Sequence, residues 1–477
     1  MSAIEHCEFL VLGSGESGKY LAWTMAKSGH RSVVVERGLI GGSCPNIACL
    51  PSKNVIYSAH VAALVHRGAE FGISTGTVAI DMAAVRQRKR KMVDDLIAVH
   101  LKNYATSGAE LVIGEGRFVA PKTLETRLPD GTIRVFSGDR VYLNVGTRAA
   151  IPDVPGLAQS QPLTHVEALE LDYVPEHLIV LGGGYVGLEF AQPMRRLGSR
   201  VTVIEQGPQL AGREDRDIAE AMRQRFADDG IDVVLDAQPL AVEGRSGKMV
   251  RFRVRTPGGE RTIEGSDILV AAGRVPNTQG IGLDTVGIEL DARGYVKVDE
   301  RLQTSAASVW AMGDCAGSPQ FTHVAFDDFR IVRDNLNGGQ RTTRDRLVPY
   351  CMYTDPELGR VGLNESQAQH AGIAYRVAKV PMAAVLRTRT LSETRGFLKA
   401  LVATDSDRIL GFTALGVGAG ELIAVMQIAM LAGTPYTGLR DAILTHPTIA
   451  EGLTVLFASE PVLPAPVGEN GAKPRSV

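Results

Sequence analysis

The chain has 477 residues, 44% of them hydrophobic and 22% charged, a globular composition with material for about two to four domains. The 51 Lys and Arg against 53 Asp and Glu leave a formal net charge of −2, which disfavours nucleic acid and anionic membranes as partners. Five cysteines are too few for a secreted disulfide scaffold, and 52 glycines, above the ~7% typical, point to tight turns and close backbone approach to ligands.

The opening Met1–Glu8 has no basic stretch leading into an apolar one, so no signal peptide is expected. No run of ~18 apolar residues occurs, so no membrane-spanning helix is expected either, and the expected setting is the cytoplasm. There, a close pair of cysteines is more often catalytic or metal-binding than structural.

Residues 8–12 (EFLVL) read as a strand. Gly13-Ser14-Gly15-Glu16-Ser17-Gly18 follows, then a helical pattern over 19–29, then a strand over 32–35 ending at Glu36. In strand, G-x-G-x-x-G, helix, strand, acid, the first Gly allows the tight turn and the second lets backbone approach a pyrophosphate. The third packs helix on strand, and the acid accepts from a ribose 2′-OH. A rival phosphate-loop reading, Gly13 to Gly18-Lys19, fails at Tyr20, where that motif needs Ser or Thr for magnesium.

Gly41-Gly42-Ser43-Cys44-Pro45-Asn46-Ile47-Ala48-Cys49 comes next, with Lys53 beyond it. In an ideal helix Cys44 and Cys49 would lie about 8–9 Å apart, beyond the ~7 Å limit of a disulfide, so a bridge requires an irregular helix start. Gly41-Gly42 and Pro45 suit one. Lys53, one turn after Cys49, would favour a thiolate. Two buried thiols or a zinc site are the alternatives, and no further zinc ligands are in view. Cys7, Cys315 and Cys351 read as buried thiols.

A long helix is expected over 81–105. Its basic run, 86–91, reads as a solvated face rather than an anion site. Residues 151–156 (IPDVPG) read as a linker. The fingerprint then returns: strand 177–181, Gly182-Gly183-Gly184-Tyr185-Val186-Gly187, a helix, strand 200–204 and Glu205. From third Gly to acid is 18 residues in both copies (18 to 36, 187 to 205). Two copies imply two dinucleotide sites, and a carboxylate at Glu205 favours NADH over NADPH, although Arg213 and Arg216 lie just beyond. The apolar stretch 422–432 is a candidate buried helix, and the Pro- and Gly-rich 461–477 a mobile tail.

Together these motifs resemble the flavoprotein disulfide reductases, a family that includes dihydrolipoamide dehydrogenase, glutathione reductase and mercuric reductase. The resemblance runs from about residue 8 to 452. It implies an α/β fold with two Rossmann-like domains, for FAD and for NAD(P)H, plus a C-terminal α+β dimerisation domain. The implied boundaries are 1–150 and 276–345 for the FAD domain, 151–275 for the NAD(P)H domain, 346–460 for the dimerisation domain and 461–477 for the tail.

By the same resemblance, Gly13, Gly15, Gly18, Glu36, Gly42, Ser43, Lys53, Gly116, Thr147, Gly313, Asp314 and Ala325 serve FAD. Gly182, Gly184, Tyr185, Gly187, Glu205, Gly273 and Arg274 serve the nicotinamide cofactor, with Tyr185 covering its pocket. Cys44 is the thiol that exchanges with a disulfide substrate, and Cys49 the thiolate against the flavin. Lys53 and Glu189 form an ion pair beneath it. His446 and Glu451, in H-P-x-x-x-E, are acid/base and orienter, acting on the other subunit of a homodimer; an imidazole held by a carboxylate suits that role. Residues 320–329 and 353–358 resemble the mercuric-reductase-like branch, including the reactive-chlorine-resistance reductases. No Cys follows Cys351, so the C-terminal thiol pair of true mercuric reductases is missing. Pro45 and Ala48 depart from the aliphatic and Gly usual in lipoamide and glutathione enzymes. A disulfide reductase is the expected activity, a mercuric or copper reductase its alternative, and no resident metal is expected.

Overall fold

The computed structural model describes residues 3–464. The chain divides into two compact units: Met1–Gly212 with Met222–Arg346, and Arg213–Ala221 with the chain from Leu347 onward.

In the first unit the elements run β1 (Ile4–Leu12), α1 (Glu16–Lys27), β2 (Ser32–Glu36), α2 (Ser43–Ile47), α3 (Cys49–His66), α4 (Met82–Ser107), β3 (Glu110–Ile113), β4 (Glu115–Ala120), β5 (Thr123–Arg127), β6 (Ile133–Leu143) and β7 (Thr147–Ala149). There follow α5 (His165–Ala168), β8 (His177–Leu181), α6 (Tyr185–Arg196), β9 (Arg200–Ile204), α7 (Arg216–Asp228), β10 (Asp232–Val234), β11 (Gln238–Arg245), β12 (Met249–Thr256), β13 (Gly259–Gly265), β14 (Asp267–Val270), β15 (Arg274–Pro276), β16 (Val309–Ala311) and α8 (Thr322–Leu336). The first turns of α7 belong to the second unit.

The first sheet has the order β3-β2-β1-β6-β5-β4, with β16 pairing β6. Strands β3, β2, β1, β6 and β16 run parallel, and β5 and β4 return antiparallel. Period-two alternation explains why these strands are apolar throughout: Leu10, Leu12, Val33 and Val35 fill one face, and Phe9, Val11 and Val34 the other. The second parallel sheet is ordered β10-β9-β8-β14, and an antiparallel β11-β12-β13 sheet packs its apolar side into the same core. Both fingerprint turns leave the carboxyl end of a central strand, β1 and β8, where open α/β sheets bind ligands.

The basic run on α4 is largely the solvated face expected, with Gln87, Arg88, Arg90 and Lys91 exposed, and Lys89 is the exception. Lys89 is fully buried and bonded to Glu170, Arg90 pairs with Glu170, Arg86 with Asp172 and Lys91 with Asp95. Arg88 donates to the carbonyl and side-chain oxygens of Asn54. Asp95 is one turn along the same helix, whereas Glu170 and Asp172 lie some eighty residues away in sequence, beyond the reach of helix periodicity.

The second unit is built on an antiparallel sheet β17-β18-β21-β20-β19: β17 (Tyr350–Met352), β18 (Leu358–Gly362), β19 (Tyr375–Pro381), β20 (Phe397–Ala403) and β21 (Ile409–Leu415). Its helices are α9 (Glu365–His370), α10 (Leu386–Thr390), α11 (Ala419–Leu431), α12 (Tyr436–Arg440) and α13 (Gly452–Leu456). Helix α11 buries Leu422, Ile423, Met426 and Ala429 on the sheet but exposes Val425, Ile428 and Leu431 on its other side. Val462 exchanges two backbone hydrogen bonds with Val377, so the chain is still tied to the sheet inside the expected tail; from residue 465 that tail lies outside the described residues. The α/β class stands as expected. Among the described residues no helix is long and apolar enough to cross a membrane.

Candidate active site

The first fingerprint forms a cradle at the start of α1. Gly13 turns the chain at φ +97°, and its absent Cβ would stand 2.4 Å from the Asn144 carbonyl. A Cβ on Gly18 would meet the Gly13 carbonyl at 2.5 Å, and one on Gly42 the Gly15 Cα at 2.7 Å. The N-cap is Gly15, which has no side chain to offer, so first-turn N–H groups face a cradle suited to a phosphate. Glu36 is buried. One oxygen accepts from the Ser14 amide and hydroxyl (2.9 and 2.8 Å), the other from the Gly38 and Leu39 amides (2.8 and 2.9 Å). It therefore orders the turn that brings Gly42 and Ser43 against the fingerprint. Gly116 on β4 is needed for packing, since a Cβ there would meet Leu12 at 2.7 Å. Lys19 is buried against Glu16 (2.7 Å), the Gly41 carbonyl and His100, not presented to a phosphate loop.

A second set converges from later in the chain. Thr147 donates to Asp314 (2.6 Å), and Arg274 donates to the hydroxyl and carbonyl of Thr147 (2.7 and 3.1 Å). The Gly313 amide is held at 2.6 Å by the fully buried Asp328, whose other oxygen takes Arg346. Ser17 donates to the Ala325 carbonyl at 2.6 Å, tying α8 to α1. A glycine-lined helix start, an acid-ordered turn and a Thr–Asp pair on converging loops fit a flavin dinucleotide.

The cysteines lie beside this cradle. The helix breaks at Ala48 (φ −133°, ψ −105°), between α2 carrying Cys44 and α3 opening on Cys49. The irregularity is thus at Ala48, not at the Gly-Gly or Pro45. Pro45 and Pro51 each sit in a first helical turn, where a missing N–H costs little. Both thiols are unbridged and hydrogen-bond to each other. That bond, a hydrogen bond from Thr322 (Oγ1 to Sγ, 3.3 Å) and the Lys53 ammonium outweigh burial and lower the Cys49 thiol to about 6. Cys44 is pushed up, because its proton is held against Cys49 and because it is buried. Lys53, one turn along α3, binds Glu189 of α6 at 2.7 Å, with Glu189 the more buried of the two.

In the second fingerprint Gly182 turns at φ +114° and Gly187 packs on the Gly182 carbonyl, while Gly184 is the exposed N-cap of α6 with open space around it. Glu205 accepts one amide on each oxygen, Gly183 (2.6 Å) and Gly207 (2.7 Å), which leaves acceptor capacity for a ribose. Tyr185 opens α6, and Gly273 turns at φ +128° with open space at its Cα. Arg213 and Arg216 are exposed.

In the second unit the exposed His446 places Nδ1 2.9 and 3.0 Å from the two oxygens of Glu451, which leaves Nε2 pointing away from the pair. Asp215, Asp217 and Glu365 cluster as metal ligands would, but the buried Lys399 ammonium sits among them at 2.8–2.9 Å. Of the remaining thiols, burial pushes Cys7 up to about 12 and Cys315 up to about 11; Cys351 is only half-buried, contrary to expectation.

Sequence reasoning missed Asn144, Thr322, Asp328 and Ser14. Each acts through a neighbour distant in sequence or through a hydroxyl or amide that no spacing marks.

Comparison with known proteins accords with this geometry. The model of the pyridine nucleotide-disulphide oxidoreductases matches residues 8–328, and that of their dimerisation domain residues 348–456. The probable pyridine nucleotide-disulfide oxidoreductase RclA of Escherichia coli (strain K12) is 36% identical over 455 residues, 94% of this chain and 98% of its own. A mercuric reductase of Streptomyces lividans is 35% identical over 94% of each chain, and a dihydrolipoamide dehydrogenase of Chaetomium thermophilum 32% identical over 93% of this chain and 89% of its own. The solved Cu(II) complex of the HOCl-induced flavoprotein disulfide reductase RclA from Escherichia coli superposes with a TM-score of 0.87 at 34% identity, covering 95% of this chain and 99% of that one. The chain belongs to the pyridine nucleotide-disulfide oxidoreductases, a family of FAD-dependent enzymes that use a pyridine nucleotide.

Proposed function

We propose that this enzyme reduces a disulfide substrate with NADH through the pair Cys44 and Cys49, as a cytoplasmic homodimer. The observation that carries the reading is the Cys49 thiol, lowered by Cys44, Thr322 and Lys53 beside a dinucleotide cradle. FAD, held by Gly13, Gly15, Gly18, Glu36, Gly42, Ser43, Thr147, Gly313, Asp314 and Ala325, supplies the two-electron link between nicotinamide and the cysteines. The nicotinamide cofactor takes Gly182, Gly184, Tyr185, Gly187 and Gly273, while the Arg274 side chain supports Thr147 beside Asp314 on the flavin side. Glu205 favours NADH, since its carboxylate accepts a ribose hydroxyl and repels a phosphate.

In the reduced pair, Cys49 keeps the negative charge and Cys44 the proton. Once deprotonated, Cys44 attacks the substrate disulfide and forms a mixed disulfide, and one substrate thiol leaves. Cys49 then attacks Cys44, restores the internal bridge and releases the second substrate sulfur as a thiolate, which takes its proton from solvent. The His446 imidazole, oriented by Glu451, takes the Cys44 proton and gives it to the leaving thiolate. The exposed Val425, Ile428, Leu431 and fully exposed Ile443 supply an apolar surface for the second copy. Five unbridged cysteines fit a reducing compartment.

A second reading, reduction of a soft metal ion bound by the same two thiols, is favoured by the capture of RclA as a Cu(II) complex. Anaerobic titration with NADH tests the first reading. Long-wavelength thiolate-to-flavin absorbance after two electrons supports it; direct bleaching of the flavin sinks it. Turnover with a disulfide panel but not with Cu(II) or Hg(II) then separates the two substrates.

A further inference from the structure

We infer that Asn144 is a positioning residue that locks the first dinucleotide cradle around a permanently retained cofactor, whereas its counterpart Ala271 leaves the second cradle open for exchange. The inference rests on the reading that the first cradle holds FAD.

Asn144 follows β6 and is buried. Its side-chain oxygen accepts the Gly18 amide at 3.0 Å, and its side-chain nitrogen donates to the Met312 carbonyl at 2.8 Å. One amide therefore joins the start of α1 to the segment that carries Gly313 and Asp314. The glycines of both segments crowd it. A Cβ on Gly13 would meet its carbonyl at 2.4 Å, one on Gly15 its Oδ1 at 2.4 Å and one on Gly313 its Nδ2 at 3.1 Å. Because Gly15 is an N-cap without a side chain, Asn144 supplies from another strand the acceptor that a Ser or Asp cap would normally provide. It satisfies the third donor of the helix, so the two preceding amides, of Glu16 and Ser17, are left to a ligand.

The internal repeat contains its own control. Ala271 follows β14 as Asn144 follows β6. Its amide bonds the Leu181 carbonyl at 2.8 Å, as that of Asn144 bonds Leu12 at 2.8 Å. Its carbonyl crowds Gly182 at 2.5 Å, as that of Asn144 crowds Gly13. Only the side chain differs. Alanine cannot cap the helix or reach a neighbouring segment, and Gly184, the counterpart of Gly15, has nothing within 4 Å of its missing Cβ. A preorganised site holds its ligand more tightly because less ordering is lost on binding. The first copy has that preorganisation and the second lacks it, as expected for a cofactor that stays and a co-substrate that leaves at every turnover.

The test compares wild type with Asn144→Ala and the near-isosteric Asn144→Asp. FAD retention is read by flavin fluorescence during dilution and by reconstitution of the apoprotein, NADH affinity by its KM, and the environment of bound flavin by visible circular dichroism. A buried Gly18 amide left unpaired, and a Met312 carbonyl left with only the weak Cys315 thiol donor, predict FAD binding at least about tenfold weaker in the Ala variant, with the NADH KM within about twofold of wild type. The Asp variant keeps an oxygen toward Gly18 but loses the donor to Met312; it too loses FAD and alters the flavin dichroism. Wild-type FAD retention in either variant overturns the inference, as does an equal loss of FAD and NADH affinity. A wild-type protein that binds no FAD overturns the underlying reading.

Discussion

At the residue scale, the decisive contrast is between two thiols five positions apart. Cys49 receives a hydrogen bond from Cys44, another from Thr322 and the field of Lys53, and these outweigh its burial. The thiolate should form as pH rises through about 6 and be lost below it. Thr322→Val removes one neutral donor to a charged acceptor. It should move the midpoint of the thiolate-to-flavin absorbance up by about one pH unit, and Thr322→Ser should restore it. A midpoint unmoved in the Val variant would show that Thr322 contributes nothing to the thiolate. The Cys-x4-Cys spacing and Lys53 were legible in the sequence because they are local. Thr322 was not, since it comes from a helix 273 positions away.

At the element scale, regular pieces were legible wherever periodicity and glycine punctuation agreed. The strands at 177–181 and 200–204 have the bounds read from the sequence, and the helix expected over 81–105 spans Met82–Ser107 with Asp81 as its cap. What the sequence hides is what an element is charged against. Lys89 on α4 and Lys399 on β20 have no local sequence mark that sets them apart, yet both are buried with acids distant in the chain. Burial alone would lower the Lys399 ammonium, but its bonds to Asp215, Glu365 and Asp217 raise it; burial would raise Asp217, but Lys379 and Lys399 lower it. The signs fix the pH window. The contribution of Lys399 is complete below its ordinary 10.5 and lost only as pH rises through the raised value, and that of Asp217 is complete above its ordinary 3.8 and lost as pH falls through the lowered one. The second unit should therefore hold this stabilisation from about pH 4 to about pH 10. Lys399→Met strands three carboxylates together and should cost roughly 3 kcal/mol or more, read by denaturant unfolding; a loss below about 1 kcal/mol would contradict the arrangement.

At the scale of the whole molecule, the proposed chemistry needs two copies. Co-expression of Cys44→Ser with His446→Ala tests this directly. Random pairing makes about half the dimers mixed, and each mixed dimer has one complete site of two if His446 serves the other subunit, so about a quarter of wild-type activity should return. No recovery would place His446 with the cysteines of its own chain, or outside the reaction. The internal repeat made the two-cofactor architecture readable at this scale, because it recurs with the same 18-residue interval. The difference between its copies was not readable, because Asn144 and Ala271 follow strands that carry no motif.

The interruption at Ala48 gives the proposed redox pair a mechanical freedom. A continuous helix from Ser43 to His66 would fix the sulfurs at a set separation, and closing a bridge would bend a long hydrogen-bonded rod. On two helices, the pair can close about the torsions of a single hinge residue while Pro51 and Lys53 stay anchored in α3. In the proposed cycle, closing and opening the bridge then requires only a small local rotation. Each electron pair can pass with little reorganisation of the scaffold, so the cycle can run many times without reshaping the helix that carries the thiolate.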